Sequence, residues 1–450
     1  MFSAFLVPPR RVYRPTTVRF LSATLKAAVF CLLLVSAEAR AQTDIRISGA
    51  QAGFPVAVPQ LCNAGDAGEI ATKIPEIISR NLQISGLFKV LNPATFVETP
   101  GKCVGPEGVA FSDWTVVGAE GLVRGEVTRQ GEQVSVTMYL HDVQQQRTVV
   151  GKRYSAEVSD FAKVAHRFSN EILKYFTGEM GIFGTKLVFV SKVGRFKELF
   201  SMELDGSNIR QLTQDRGLAL SPAWSPSGDR LVYTSYRTRS PELYLLTPRG
   251  GEPKRVTKRP GLELGAEFMP DGASLISASS LSGVTKIALF DLQGRLIRRL
   301  TEGSSIDVSP SLSPDGSKVA YTSNRAGGPQ IYVIPTSGGR PTRISFTDSN
   351  YCTSPAWSPK GDKIAFVCRR GGNQLFIAGA DGSQPAQLTF AGDNEDPAWS
   401  PDGRFIAFSS NFGRGGPRNI AILSLLGGTP TQITFSKAED SAPAWSPVLE

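Results

Sequence analysis

The sequence predicts a small α/β domain followed by an all-β, six-bladed β-propeller built from four-stranded antiparallel blades. Three observations carry that reading. A phrase of the form P-x-W-S-P-x-G recurs six times toward the end of the chain. Its second prolines, Pro226, Pro270, Pro314, Pro359, Pro401 and Pro447, are spaced by 44, 44, 45, 42 and 46 residues. A fixed period of this size marks a repeat architecture, and a four-stranded unit of about 40–50 residues fits a propeller blade. Residues 42–177 lack the repeat and mix helical with strand periodicity.

The clearest copies of the phrase span residues 222–228, 355–361 and 397–403. Two are degenerate, A-E-F-M-P-D-G at 266–272 and P-S-L-S-P-D-G at 310–316, and the last begins at Pro443. An apolar run follows the first five phrases, at residues 231–235, 275–279, 319–323, 364–368 and 406–410. A second run follows at 243–246, 287–292, 331–334, 375–378 and 420–425. A third ends in a small hydroxyl residue, as in Val256-Thr257, Leu300-Thr301, Ile344-Ser345, Leu388-Thr389 and Ile433-Thr434. Short runs of Val, Ile, Tyr, Phe and Thr between Gly, Pro, Asp and Ser clusters are strands. The Asp-Gly and Gly-Gly pairs between them supply the positive φ angles of tight hairpins.

Only five phrases are followed by an apolar run. The sixth run lies upstream, at residues 187–191, with its partners at 199–204 and Leu212-Thr213. Pairing the last phrase with 187–191 would staple the first blade to the last and close a ring over residues 186–450, hiding open strand edges. The Trp of each phrase, or its Phe or Leu substitute, is expected to pack between adjacent blades.

In the first domain (42–177), residues 45–47, 56–58 and 87–91 read as short strands. Residues 66–84 read as an amphipathic helix despite Pro75, and 121–128, 134–142 and 148–154 as an antiparallel meander. Residues 159–177 read as a second helix capped at Ser159. The glycine-rich stretch 178–185 is expected to be a hinge.

The first 41 residues have a basic leader, a short apolar stretch at 27–37 and Ala39-Arg40-Ala41 before Gln42. That is a cleavable secretory signal, cut between Ala41 and Gln42, and its apolar core is shorter than a membrane span of about 20 residues. Removing its six Lys/Arg and one Glu leaves 43 basic and 39 acidic residues. There is no basic run and no basic-aromatic patch, so a nucleic-acid partner is not expected. A soluble, exported monomer is expected.

Four cysteines remain after cleavage, in an oxidising compartment that permits disulfides. With a turn at 359–362, Ser358 faces Lys363 and Thr353 faces Cys368, leaving Cys352 diagonal to Cys368 within bridging range. Cys62–Cys103 follows by elimination. No metal site and no cofactor are expected, since there is no C-x-x-C and the two histidines are His141 and His166, read as structural.

No enzyme is expected. The propeller has no histidine for a Ser-His-Asp triad, and there is no G-x-S-x-G elbow, phosphate loop or dinucleotide fingerprint. Binding remains. The loops entering each inner strand rim a propeller's channel, and here they carry Ser221, Glu263, Asp307, Ser309, Asn350, Thr353, Ser354, Glu395, Asp396, Glu439 and Asp440. This polar, mostly acidic ring suits a protein of complementary charge.

The combination resembles the TolB family of Tol-Pal systems. The residues that carry it are the exported leader, Asp44-Ile45-Arg46-Ile47, the F-P-V-A-V-P segment from Phe54, the glycine-rich connector and the propeller closing on P-A-W-S-P. The resemblance implies a non-enzymatic periplasmic adaptor. Its channel mouth would hold Pal, a peptidoglycan-associated lipoprotein. Its mature N-terminus, Gln42, Thr43, Asp44, Ile45, Arg46, Ile47 and Ser48, would contact TolA. Such proteins support outer-membrane integrity and constriction during cell division. The alternatives are an exported propeller for glycans or peptidoglycan fragments, and a propeller-type lyase or peptidase. The sequence departs from the family pattern at Phe268 and Leu312, which replace Trp, and in its two cysteine pairs.

Overall fold

A computed structural model describes residues 53–258, 261–281, 283–413 and 415–448. The leader, the cleavage site and the segment 42–48 lie outside the described residues. So does the strand expected at 45–47.

The first domain is one mixed sheet backed by two helices. Its elements are β1 (Phe54–Ala57), β2 (Cys62–Gly65), α1 (Ile70–Ser85), β3 (Phe88–Val90), α2 (Phe111–Val116), β4 (Gly121–Gln130), β5 (Gln133–Asp142), β6 (Arg147–Glu157) and α3 (Phe161–Thr177). The sheet runs β3-β1-β4-β5-β6, with β2 also on β4. β1 is parallel to both β3 and β4, while β4, β5 and β6 form the antiparallel meander. Two elements, β2 and α2, were not legible in the sequence pattern.

Helix α1 begins at Ile70 rather than at Asp66, whose φ of 25° is not helical. Pro75 inside it has no N–H to give the Ala71 carbonyl, and Leu61 N–H takes that carbonyl at 3.0 Å. The N-cap of α3 is Asp160, not Ser159, and neither helix has a side-chain cap bond. Gly86 and Gly178 end the helices in the left-handed region that glycine adopts without strain.

Six four-stranded sheets follow, each ordered from inner to outer strand along the chain except the last. The inner strands are Ala219–Trp224, Glu263–Phe268, Asp307–Leu312, Cys352–Trp357, Asn394–Trp399 and Asp440–Trp445, numbered here as blades one to six. Blade six joins Asp440–Trp445 to Lys186–Val193, with Trp445 opposite Leu187. This is the expected ring closure.

The hydroxyl that ends each third run does not lie in the outermost strand. It sits just past it and accepts the N–H that opens the apolar run of the third strand. Thr213 takes Leu199 N–H, Thr257 Leu243, Thr301 Ile287, Ser345 Ile331, Thr389 Leu375 and Thr434 Ile420, all at 2.9–3.0 Å. The tryptophans pack between blades. The indoles of Trp224 and Trp399 also donate to the Ala444 and Ala356 carbonyls of the preceding blade, at 3.1 and 2.9 Å.

One hydrophobic cluster runs from the first domain (Ile74, Ile78, Phe168, Ile172) into blades five and six (Phe405, Ile420, Phe189). The connector 178–185 is pinned rather than free. Ile182 and Phe183 are buried, Asn170 holds Phe183 N–H and carbonyl at 2.9 Å each, and Arg404 reaches the Met180 carbonyl at 2.5 Å.

Candidate functional site

The channel mouth is built by a device repeated in every blade. The register between inner and second strands slips by one residue within each inner strand. At the slip stands a residue with positive φ: Ser221 (50°), Gly265 (52°), Ser309 (52°), Ser354 (53°), Asp396 (55°) and Ala442 (45°). This is a β-bulge, which leaves one residue unpaired and bends the strand. A proline follows it in all but blade two, and proline is suited to a position without a ladder donor. The N–H of the positive-φ residue ties to the previous blade in three cases. Gly265 donates to Thr234 Oγ1 (3.2 Å), Ser354 to Thr322 Oγ1 (3.2 Å) and Ala442 to Asp396 (3.1 Å).

Two residues before the bulge, every inner strand places a side chain opposite the last residue of the second strand's apolar run. The pairs are Ala219–Ser235, Glu263–Ser279, Asp307–Ser323, Cys352–Cys368, Asn394–Ser410 and Asp440–Ser191. Ser279, Ser323, Ser410 and Ser191 donate to the facing carboxylate or amide at 2.5–2.9 Å. In blade four the same position holds a disulfide, Cys352–Cys368, with Cα atoms 4.1 Å apart. The bulge makes Cys352 the direct partner of Cys368, not its diagonal neighbour, which corrects the register read from the sequence. A second disulfide, Cys62–Cys103, ties β2 to the loop before α2.

This device sorts the expected mouth residues. Glu263, Asp307 and Asp440 are 2%, 0% and 1% exposed and serve as latches within their blades. They do not form an open acidic rim. Burial pushes the carboxyls of Asp396 and Asp440 above their ordinary range, and Asp396 bonds across the seam between blades five and six. Ser221, Ser309 and Asn350 are exposed, while Thr353, Ser354, Glu395 and Glu439 are half-buried.

Most of the mouth acids that do reach the surface are partnered, the exception being Glu302, exposed with no cationic partner within 4.0 Å among the described residues. Arg418 contacts Asp393 at 3.4 Å, Glu395 closely and Glu439 at 4.0 Å, and Lys197 lies 3.6 Å from Glu439. Asp307 holds Lys286 at 3.1 Å and Arg325 at 3.5 Å. Arg370 lies 3.9 Å from Asp348. Sequence reasoning missed these arginines. A phase signal exists: Arg237, Arg325 and Arg370 each stand two residues after Ser235, Ser323 and Cys368. The loops that carry them share the mouth face. In all six blades the chain leaving the second strand bonds to the chain entering the inner one, as in Lys192 N–H to the Glu439 carbonyl and Asn411 to Asp393.

A pocket of about 300 Å³ opens on this face between blades five and six, lined by Lys192, Asn411, Arg418, Lys437 and Glu439. A cleft of about 1700 Å³ lies between α1 and blades five and six, and it reaches residues 433–436 of the connection that carries Lys437. There the Arg80 guanidinium stacks 5.9 Å above the Phe435 ring. His141 and His166 are core residues of the first domain. Burial, aided by Arg124, holds His141 down at about 4, and His166 pairs with Asn81 at 3.0 Å.

The class that these observations define is a closed six-bladed propeller fronted by charged loops and fused to a helix-backed sheet. The family model of the TolB beta propeller domain matches residues 173–449, and that of the TolB amino-terminal domain residues 43–149. The chain belongs to the TolB family, a non-enzymatic family. It is 35% identical over 210 residues to the Tol-Pal system protein TolB of Syntrophotalea carbinolica, covering 46% of this chain and 48% of the relative. It is 34% identical over 175 residues to that of Anaeromyxobacter dehalogenans, covering 39% and 40%. The chain thus spans about half the length, or less, of the curated relatives it matches. The crystal structure of TolB from Acinetobacter baumannii superposes with a TM-score of 0.76 at 25% identity, covering 88% of this chain and 97% of that one.

Proposed function

We propose that the chain is a periplasmic adaptor of a Tol-Pal system. It is exported by cleavage after Ala41, docks a Pal-like outer-membrane lipoprotein on its mouth face, and engages a TolA-like inner-membrane protein through residues 42–48. Coupling the two supports outer-membrane integrity and constriction at division. The observation that carries this reading is that both TolB domains match in order along the chain, while the mouth face collects loops from every blade. Holding the lipoprotein on that face would keep it from peptidoglycan, and the N-terminal segment would report the held state. Such a switch needs two states only a few kcal/mol apart.

Calorimetry of residues 42–450 against the soluble domain of the same organism's Pal-like lipoprotein tests the reading. The companion variant is Glu395→Lys with Glu439→Lys, because both acids reach the surface, whereas Asp396 holds a blade seam. Binding that the variant changes supports docking at the mouth. Binding that it leaves unchanged moves the site. Absence of binding with both proteins folded sets the adaptor reading aside.

A further inference from the structure

Resting on the docking reading above, we infer that the mouth face recognises an acidic surface of its protein partner. The sequence lists acids in the loops entering the inner strands, but the fold withdraws most of them. Glu263, Asp307 and Asp440 are buried latches, Asp396 is tied across a seam, and Glu395 and Glu439 share Arg418. The cations are left outside. Arg195, Arg216, Arg239 and Arg370, on loops of this face, and Arg325 and Arg369, at the ends of their strands, are all exposed. Arg195, Arg216 and Arg239 have no acidic partner within 4.0 Å among the described residues. Arg369 lies 4.0 Å above the Tyr351 ring, which holds the guanidinium at the surface without neutralising it.

These cations come from blades one, three, four and six, so they surround the channel rather than cluster beside it. The pocket between blades five and six adds Lys192 and Lys437 next to Arg418. A partner carboxylate entering it would meet ammonium and guanidinium donors suited to charge-assisted hydrogen bonds. Exposed charges of one sign around a concave opening speed the encounter with a partner of opposite sign and reject a partner of like sign.

The test uses the full mature chain, the Pal-like soluble domain and poly-L-glutamate as a generic acidic probe. The mouth variant is Arg195→Glu with Arg239→Glu and Arg369→Glu. The control is Arg298→Glu with Arg299→Glu on the exposed outer strand Leu296–Arg299 of blade two. Expected is a loss of affinity of about tenfold or more in the mouth variant and little change in the control. Wild-type binding should also weaken steeply from about 50 to about 300 mM salt. That salt series needs no variant to fold. Lipoprotein binding that is insensitive to salt and to the mouth variant overturns the inference and leaves the adaptor reading standing. If the lipoprotein does not bind at all, the adaptor reading fails. The acidic probe then decides: capture lost in the mouth variant but kept in the control upholds an acid-binding face, and no capture overturns it.

Discussion

Blades four and six fasten their inner hairpins at the same register position with different chemistry. In blade six Ser191 donates to Asp440 at 2.6 Å, joining residues 249 apart in sequence. In blade four a disulfide joins Cys352 and Cys368, only 16 residues apart. Both positions are buried. The covalent bond therefore does not close the ring; it staples a hairpin whose strands are already consecutive. Ring closure rests on hydrogen bonds and on the packing of Trp445 against Phe405, with its indole donating to Thr185 at 2.8 Å. The repeat specifies a place for a latch and leaves its chemistry free.

A second contrast lies between seams. Trp224 and Trp399 bridge to the carbonyl of the preceding blade, whereas blade three has Leu312 there. At that seam Glu267 of blade two accepts the Leu312 N–H at 2.8 Å, where other blades carry Ala or Ser. The Glu267 carboxyl thus ties this seam through a backbone N–H, as Ser311 does for the Trp357 N–H at the next seam, and burial pushes that carboxyl up to about 7.

The largest expected effect comes from removing an indole tie. Trp399→Ala should cost about 3–5 kcal/mol, read as a lower denaturant midpoint, because it removes a near-buried aromatic and its hydrogen bond. Next comes the latch of blade four. Cys352→Ser with Cys368→Ser should lose about 3 kcal/mol. Cys352→Asp with Cys368→Ser should regain about 1 kcal/mol of that by rebuilding the acid–hydroxyl latch. No regain would mean that the two latches are not interchangeable. Asp440→Ala should cost about 1–3 kcal/mol, since the Ser191 hydroxyl loses its buried acceptor.

A further effect separates the seams by pH. The folded value of Glu267, about 7, lies above its ordinary 4.5, so the folded chain holds the proton over that interval. Its contribution is full below about pH 4.5 and is lost as pH rises through about 7. His141, held down at about 4, acts in the opposite direction between that value and 6.5. Comparing melting curves of the wild type with Glu267→Gln cancels the histidine. Relative to Glu267→Gln, which stays neutral, the wild type should lose stability from pH 4.5 to 7, and a constant difference would mean that Glu267 does not titrate there.

The propeller was legible because its period, its Asp-Gly turns and its displaced first run are local patterns. The upstream run 187–191 pairs with the last phrase as the count requires. The bulges were not legible. Strand alternation has no term for a left-handed Ser or Asp before proline, and one such residue moves Cys352 from diagonal to direct register. The charge of the mouth was misread for a related reason. Loop acids were counted where they stand in sequence, but Asp307 turns inward to Ser323 and Lys286, and Glu395 finds Arg418 from the next connection. In the first domain, β2 and α2 are too short for their periodicity to stand out.

The central claim is that the channel-mouth loops are the docking surface. Hydrogen–deuterium exchange of the mature chain with and without the Pal-like soluble domain tests it most directly. The account predicts slowed exchange in residues 236–241, 369–373 and 437–439, with little change in the opposite turns at 226–229 and 401–403. Protection confined to those opposite turns, or to the cleft beside α1, would contradict it.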